Sequence, residues 1–146
     1  MKNEINRVTL RFPSKSSNES FARSAAAAFA AQLDPTLDEL EDIKTAVSEA
    51  VTNAVVHGYG DTIGMITMTV RLFEDKAVEI SVADKGKGIT DIEKDRQPLF
   101  TTGGAERSGM GFTIMESFMD SLKVRSKEGK GTTVTMRKKL NLRRYK

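Results

Sequence analysis

DPTLDELEDIKTAVSEAVTNAVVHG, residues 34–58, is the stretch whose reading decides the fold. Asp34 stands where an N-cap is wanted and Pro35 at a first helical position. Asp38, Glu39, Glu41 and Asp42 crowd the opening turns, where acidic groups suit the positive end of the helix dipole. Leu37, Leu40, Val47, Val51 and Ala54 recur at helical spacing, and Gly58 supplies a stop. The spacing predicts a helix of about 22 residues, roughly 33 Å long.

The second half of this helix is nearly apolar. Over residues 45–60 the only formally charged side chain is Glu49, with Asn53 four residues on and His57 four further. Steps of four keep these side chains close to one face. A carboxylate in apolar surroundings is costly unless a cation or a hydrogen-bond donor meets it, and a magnesium ion carried by a nucleotide would do so. E-x-x-x-N alone fits better a partly exposed helix face that holds no ligand, with His57 as a structural residue at the helix end.

Length and composition narrow the classes. The 146 residues suit one domain, with 38% hydrophobic residues for a core and 29% charged residues for a solvated surface. Cysteine is absent and there is one histidine, which excludes disulfides, thiolate metal sites and a histidine-built zinc site. No apolar run approaches the roughly 20 residues that span a bilayer. A cytoplasmic location, with no membrane partner, is the expectation. Charge is uneven: residues 123–146 hold ten basic and one acidic side chain, against thirteen basic and nineteen acidic before them. Because the bases alternate with Leu122 and Val124 in strand phase, they read as a solvated sheet face, and direct nucleic-acid binding is not expected.

The remaining elements follow from periodicity. Residues 4–12 alternate as a strand closed by Pro13. Phe21, Ala25, Ala28 or Phe29, and Leu33 mark a helix of about 14 residues. Two strands, about 65–73 and 78–84, form a hairpin. A long connection follows at about 85–108, such as functional loops show. Ser108-Gly109-Met110-Gly111 opens a third helix with Ile114, Met115, Phe118 and Met119 on its buried side, and two last strands cover 122–126 and 132–138. The expected architecture is an α+β two-layer sandwich, a mixed, mostly antiparallel sheet with helices on one face. One domain spans 1–141, and 142–146 form a basic tail.

Three motifs join Glu49 and Asn53: D-x-G-x-G at Asp84, Gly86 and Gly88; Ser108-Gly109-Met110-Gly111; and Gly129-x-Gly131-Thr132. Asp84 falls in core phase, and its carboxylate suits the exocyclic amino group of adenine, with the Thr132 hydroxyl beside it or bridging through water. Gly86 and Gly88 admit close backbone approach. Gly109 and Gly111 expose amides at a helix start, where phosphate binds. Asn53 can give magnesium its one protein ligand, and Glu49 can act as base for an attacking hydroxyl near the γ-phosphate. Each motif alone is weak. No Walker or dinucleotide fingerprint is present.

In this order the motifs resemble the ATPase fold shared by gyrase, Hsp90, MutL and sensor histidine kinases, the Bergerat-type fold. The runs SEAVTNAVVHGY, RQPLFTT and ERSGMGFTIMESFMD resemble more closely the anti-sigma F family of bacterial serine-protein kinases. That resemblance implies a cytoplasmic homodimer that binds ATP or ADP with Mg2+. It implies inhibition of a sporulation sigma factor and phosphorylation of a serine on its anti-anti-sigma antagonist. By position it makes Glu49 the catalytic base and Asn53 the magnesium ligand. Asp84, Gly86, Gly88 and Thr132 would hold adenine. Thr101, Thr102, Arg107, Ser108, Gly109, Met110 and Gly111 would line the nucleotide, and Arg23 would contact a partner. The alternatives are the catalytic part of a histidine kinase, for which His57 is the only available phosphoacceptor, and a binding module without chemistry.

Overall fold

The computed structural model describes residues 3–86 and 104–140, with side chains of the last helix from Gly111 onward. The order is β1 (Glu4–Pro13), α1 (Asn18–Ala30), α2 (Leu37–Asn53), β2 (Met65–Phe73), β3 (Ala77–Asp84), α3 (Gly104–Phe118), β4 (Ser121–Lys127) and β5 (Gly131–Lys139). A 3-10 turn, Ala31–Leu33, extends α1, and a π-helical turn, Ala54–Tyr59, extends α2. The strands form one five-stranded sheet in the order β1-β2-β3-β5-β4. Every pairing is antiparallel, so the sheet is simpler than the mixed one the sequence suggests.

Alternation sorts the sheet into two faces. Ile66, Met68, Val70 and Leu72 of β2, Val78, Ile80 and Val82 of β3, and Val134 and Met136 of β5 are buried in one core with the helices. The opposite face carries ion pairs. Glu79 bridges Arg71 (2.7 Å) and Arg137 (3.3 Å), and both guanidinium groups stack on the Phe73 ring at 5.0 and 4.5 Å from its centroid. At the β1 edge, hydrogen bonds from Arg7 and then Arg71 hold the Glu4 carboxyl down to about 2.

The helices differ from expectation in phase and in ends. In α1 the buried side is Ala22, Ala26 and Ala30, not Phe21, which is 57% exposed. Three alanines four apart form a smooth ridge on which α2 can lie close, whereas a phenylalanine there would hold the helices apart. In α2 the N-cap is Thr36 rather than Asp34. The Thr36 hydroxyl accepts from the Glu39 amide (3.1 Å), and the Glu39 carboxylate accepts from the Thr36 amide (2.8 Å), a reciprocal capping box. Asp34 instead takes a left-handed conformation (φ 56°) that closes the 3-10 turn, and Leu37 is exposed. Gly58 does not stop the helix; the π turn carries it through to Tyr59. In α3 the chain is helical from Gly104, and Phe112, Met115 and Met119 are its buried side chains. Phe118 is on the rim and Ile114 only half-buried.

Thr36→Ala is expected to lower stability by about 1 kcal/mol, the usual cost of removing a cap. Asp34→Gly, which relieves a left-handed residue of its side chain, is expected to leave it unchanged or raised. Urea unfolding of both variants checks the assignment of the cap.

Candidate functional site

Four segments distant in the chain meet beside the C-terminal half of α2. Asn53 closes α2 and is buried among apolar neighbours, and Glu49 lies one turn earlier, half-buried. Gly111 of α3 faces both. A Cβ at that position would stand 3.1 Å from Asn53 Nδ2 and 3.2 Å from Glu49 Oε1. Glycine is thus what lets α3 approach these two side chains. Asn53 Nδ2 is buried with no hydrogen-bond partner among the described residues. Buried amides are normally satisfied, so this group fits a polar ligand.

Asp84 ends β3 opposite Thr132 of β5. Its Oδ1 accepts from the Gly86 amide at 2.9 Å, and the Thr132 amide donates to the same carboxylate. Burial pushes its pKa up, while those two hydrogen bonds oppose the rise. The Thr132 hydroxyl is 2.8 Å from that of Ser126. Backbone crowds in on every side. A Cβ on Gly58 would lie 2.7 Å from Asp84 Cγ, one on Gly86 1.8 Å from the Gly58 carbonyl oxygen, and one on Gly131 2.1 Å from the Asp84 carbonyl oxygen. Gly131 also has φ +101°, which other residues rarely adopt.

Asn53, His57 and Gly58 face Asp84, Phe112 and Thr132 across a cleft with Val82 and Val134 as its apolar floor. As it stands, the cleft leaves about 10 Å3 of free space, room for about one water. The chemistry of its lining suits a purine with an exocyclic amine, but a base would enter only as the walls part. For magnesium, Asn53 offers an amide oxygen next to the Glu49 carboxylate, a donor set that suits an ion retaining most of its water.

A second, more open groove of about 410 Å3 lies between α1 and α2 and is lined by Arg23, Lys44, Thr45, Ser48 and Glu49. Arg23 is 3.6 Å from Glu19 and 3.4 Å from the Ser48 hydroxyl, which in turn donates to Glu19. Arg23 and Glu49 therefore open onto one groove.

The structure thus gathers Glu49, Asn53, Asp84, Gly86, Gly111 and Thr132, with Arg23 in the adjoining groove. Gly88, Thr101 and Thr102 lie outside the described residues. Arg107, Ser108, Gly109 and Met110 are within α3, but their side chains are not described. Since α3 begins at Gly104, Gly109 and Gly111 are not at its N-terminus, and their amides are not the exposed first-turn donors that the G-x-G spacing suggests. Sequence reasoning missed Gly58 and Phe112 as parts of the cleft. Gly58 follows His57 by one residue, and that adjacency to the polar stripe was the available signal.

Residues 12–138 match the model of the histidine kinase-like ATPase domain, and the chain belongs to that family. Within it the chain belongs with the anti-sigma F factors. It is 59% identical over 134 residues to the anti-sigma F factor of Caldanaerobacter subterraneus subsp. tengcongensis, covering 91% of this chain and 93% of that one. It is 58% identical over 140 residues to that of Geobacillus kaustophilus, covering 94% and 93%. Among solved structures, the RsbU and RsbW domains of Rv1364c from Mycobacterium tuberculosis match with a TM-score of 0.68 at 22% identity. That match covers 93% of this chain and 32% of the longer one, and it shows the shared fold.

The buried Asp84 sets a pH test. A carboxyl whose folded pKa is raised favours folding while protonated, and that contribution is lost as pH rises through the folded pKa. At pH 7, without nucleotide, Asp84→Asn is expected to melt no lower than the parent protein. Its advantage should shrink as pH falls through the raised folded pKa, and be gone once pH is below the ordinary carboxylate range. Melting curves from pH 3 to 8 check this; an advantage that grows toward low pH contradicts it.

Proposed function

We propose that this chain is an anti-sigma factor that inhibits a sporulation sigma factor and, as an ATP-dependent protein serine kinase, phosphorylates that factor's anti-anti-sigma antagonist. The observation that supports this best is the meeting of Gly111 with both Glu49 and Asn53. That contact brings the Glu49 carboxylate beside a buried amide whose donor has no partner among the described residues, at the edge of a cleft whose opposite wall carries Asp84.

The roles follow from the chemistry of each group. Asp84, already accepting from two amides, has acceptor capacity left for the exocyclic amine of adenine, with Thr132 beside it. Asn53 would hold magnesium through its amide oxygen. Bound Mg·ATP would supply the γ-phosphoryl group and neutralise charge that develops during its transfer. Glu49 takes the proton of the acceptor serine hydroxyl as that oxygen attacks, and the half-buried position limits competition from water. Phosphate contacts fall to the Arg107 guanidinium and the Ser108 hydroxyl, with Gly109 and Met110 beside them, and to Gly88, Thr101 and Thr102. Arg23, in the groove that ends at Glu49, binds the partner protein. The working species is a homodimer in the cytoplasm.

The test is transfer of label from γ-labelled ATP to a serine-bearing antagonist. Glu49→Gln is expected to keep nucleotide and sigma-factor binding while transfer falls by about 10² or more. Transfer at the parent rate in that variant, or label retained on this chain at His57, contradicts the reading.

A further inference from the structure

The π turn after α2 places Tyr59 where three segments meet. Its hydroxyl donates to the Met65 carbonyl at 2.6 Å and accepts from the Lys85 amide at 2.9 Å. A phenol has one donor and acceptor capacity to spare, so both bonds can hold at once. The ring is fixed from below: a Cβ on Gly64 would stand 2.2 Å from Tyr59 Cε1. Tyr59 is thus tied to the start of β2 and to the residue that follows Asp84.

The position of Lys85 gives this bond its consequence. The β3–β5 ladder ends at the Asp84–Thr132 pair, so the next amide has no strand partner to direct it. Beyond it, Gly86 donates to Asp84 Oδ1 and faces the Gly58 carbonyl so closely that a Cβ there would stand 1.8 Å from its oxygen. The Tyr59 hydroxyl therefore takes over where the ladder stops, and fixes Lys85, the residue between Asp84 and the Gly86 amide that meets its carboxylate. A π turn is what aims the side chain this way. The wider turn shifts Tyr59 around the helix axis relative to an α-helical continuation, and such turns recur at functional sites.

We propose that Tyr59 is a positioning residue for base recognition, its hydroxyl holding the Lys85 amide so that Asp84 is presented to the amino group of a 6-aminopurine rather than to the carbonyl of a 6-oxopurine. This rests on the proposed adenine role of Asp84. The ring packs on Gly64 with or without the hydroxyl, so Tyr59→Phe removes the clamp and leaves the fold.

The experiment measures affinities for ATP and GTP by calorimetry in the full chain, for Tyr59→Phe, Asp84→Asn and the double variant. Tyr59→Phe is expected to weaken ATP about fivefold, the scale of one neutral hydrogen bond, and to leave GTP within about twofold. The ATP:GTP preference then falls while the melting temperature stays close to that of the parent. In the Asp84→Asn background the same substitution should change ATP affinity less than about twofold, since the two act through one carboxylate. An unchanged preference in Tyr59→Phe, or an equal loss in both backgrounds, overturns the proposal. If Asp84→Asn collapses the preference and Tyr59→Phe does not, this inference alone falls. If Asp84→Asn leaves the preference intact, the adenine reading fails and this inference with it.

Discussion

A carboxylate is held at the end of β3 by two backbone amides and by the close approach of Gly58, while Gly131 crowds the main chain of the same residue. Two amides and three glycines surround Asp84, and the positions of α2, β5 and the chain beyond β3 all answer to that contact. Burying a carboxylate disfavours its charge, and the amides of Gly86 and Thr132 only partly offset this. In a protein that had only to fold, an apolar residue in core phase with Val78, Ile80 and Val82 would serve better. The cost is reasonable where a ligand supplies the missing donor, which ties the least favourable feature of the core to function.

The same logic runs along α2. Its first half is acidic, capped and solvated, and its second half is packed under α3, with Asn53 buried and Glu49 at the boundary of core and solvent. One helix therefore carries a polar stripe from the exposed groove at Arg23 to the enclosed cleft at Asp84. On the proposed reading, a partner's hydroxyl would approach Glu49 from the open side while a nucleotide occupies the closed side. The antiparallel sheet makes this possible by leaving the described helices on one face, so that α1, α2 and α3 lie side by side.

Much of this was legible in the sequence, for physical reasons. Alternation gave the strands and put Asp84 in core phase, because a period of two leaves little freedom once one face is buried. E-x-x-x-N gave a shared helix face because its spacing matches the turn. What was hidden depended on tertiary contact. The alanine side of α1 was read one residue out of phase because Phe21 looked like the anchor, whereas close helix packing favoured small residues. Asp34 and Pro35 suggested a cap, yet Thr36 and Glu39 make a capping box whose T-x-x-E spacing is in the sequence. The π turn has no sequence period of its own, so Gly58 looked like a stop signal when its bare Cα makes room for Asp84. The early start of α3 likewise left G-x-G inside a helix rather than at its head.

The central claim is that residues from α2, the end of β3, α3 and β5 form one cradle for a magnesium–adenine nucleotide. A crystal structure with Mg2+ and a non-hydrolysable ATP analogue tests it most directly. The account predicts the Asn53 amide oxygen bound to the metal, the Asp84 carboxylate hydrogen-bonded to the adenine amine, and Glu49 near the terminal phosphate. Density for the nucleotide elsewhere, or a base that leaves Asp84 untouched, would contradict it.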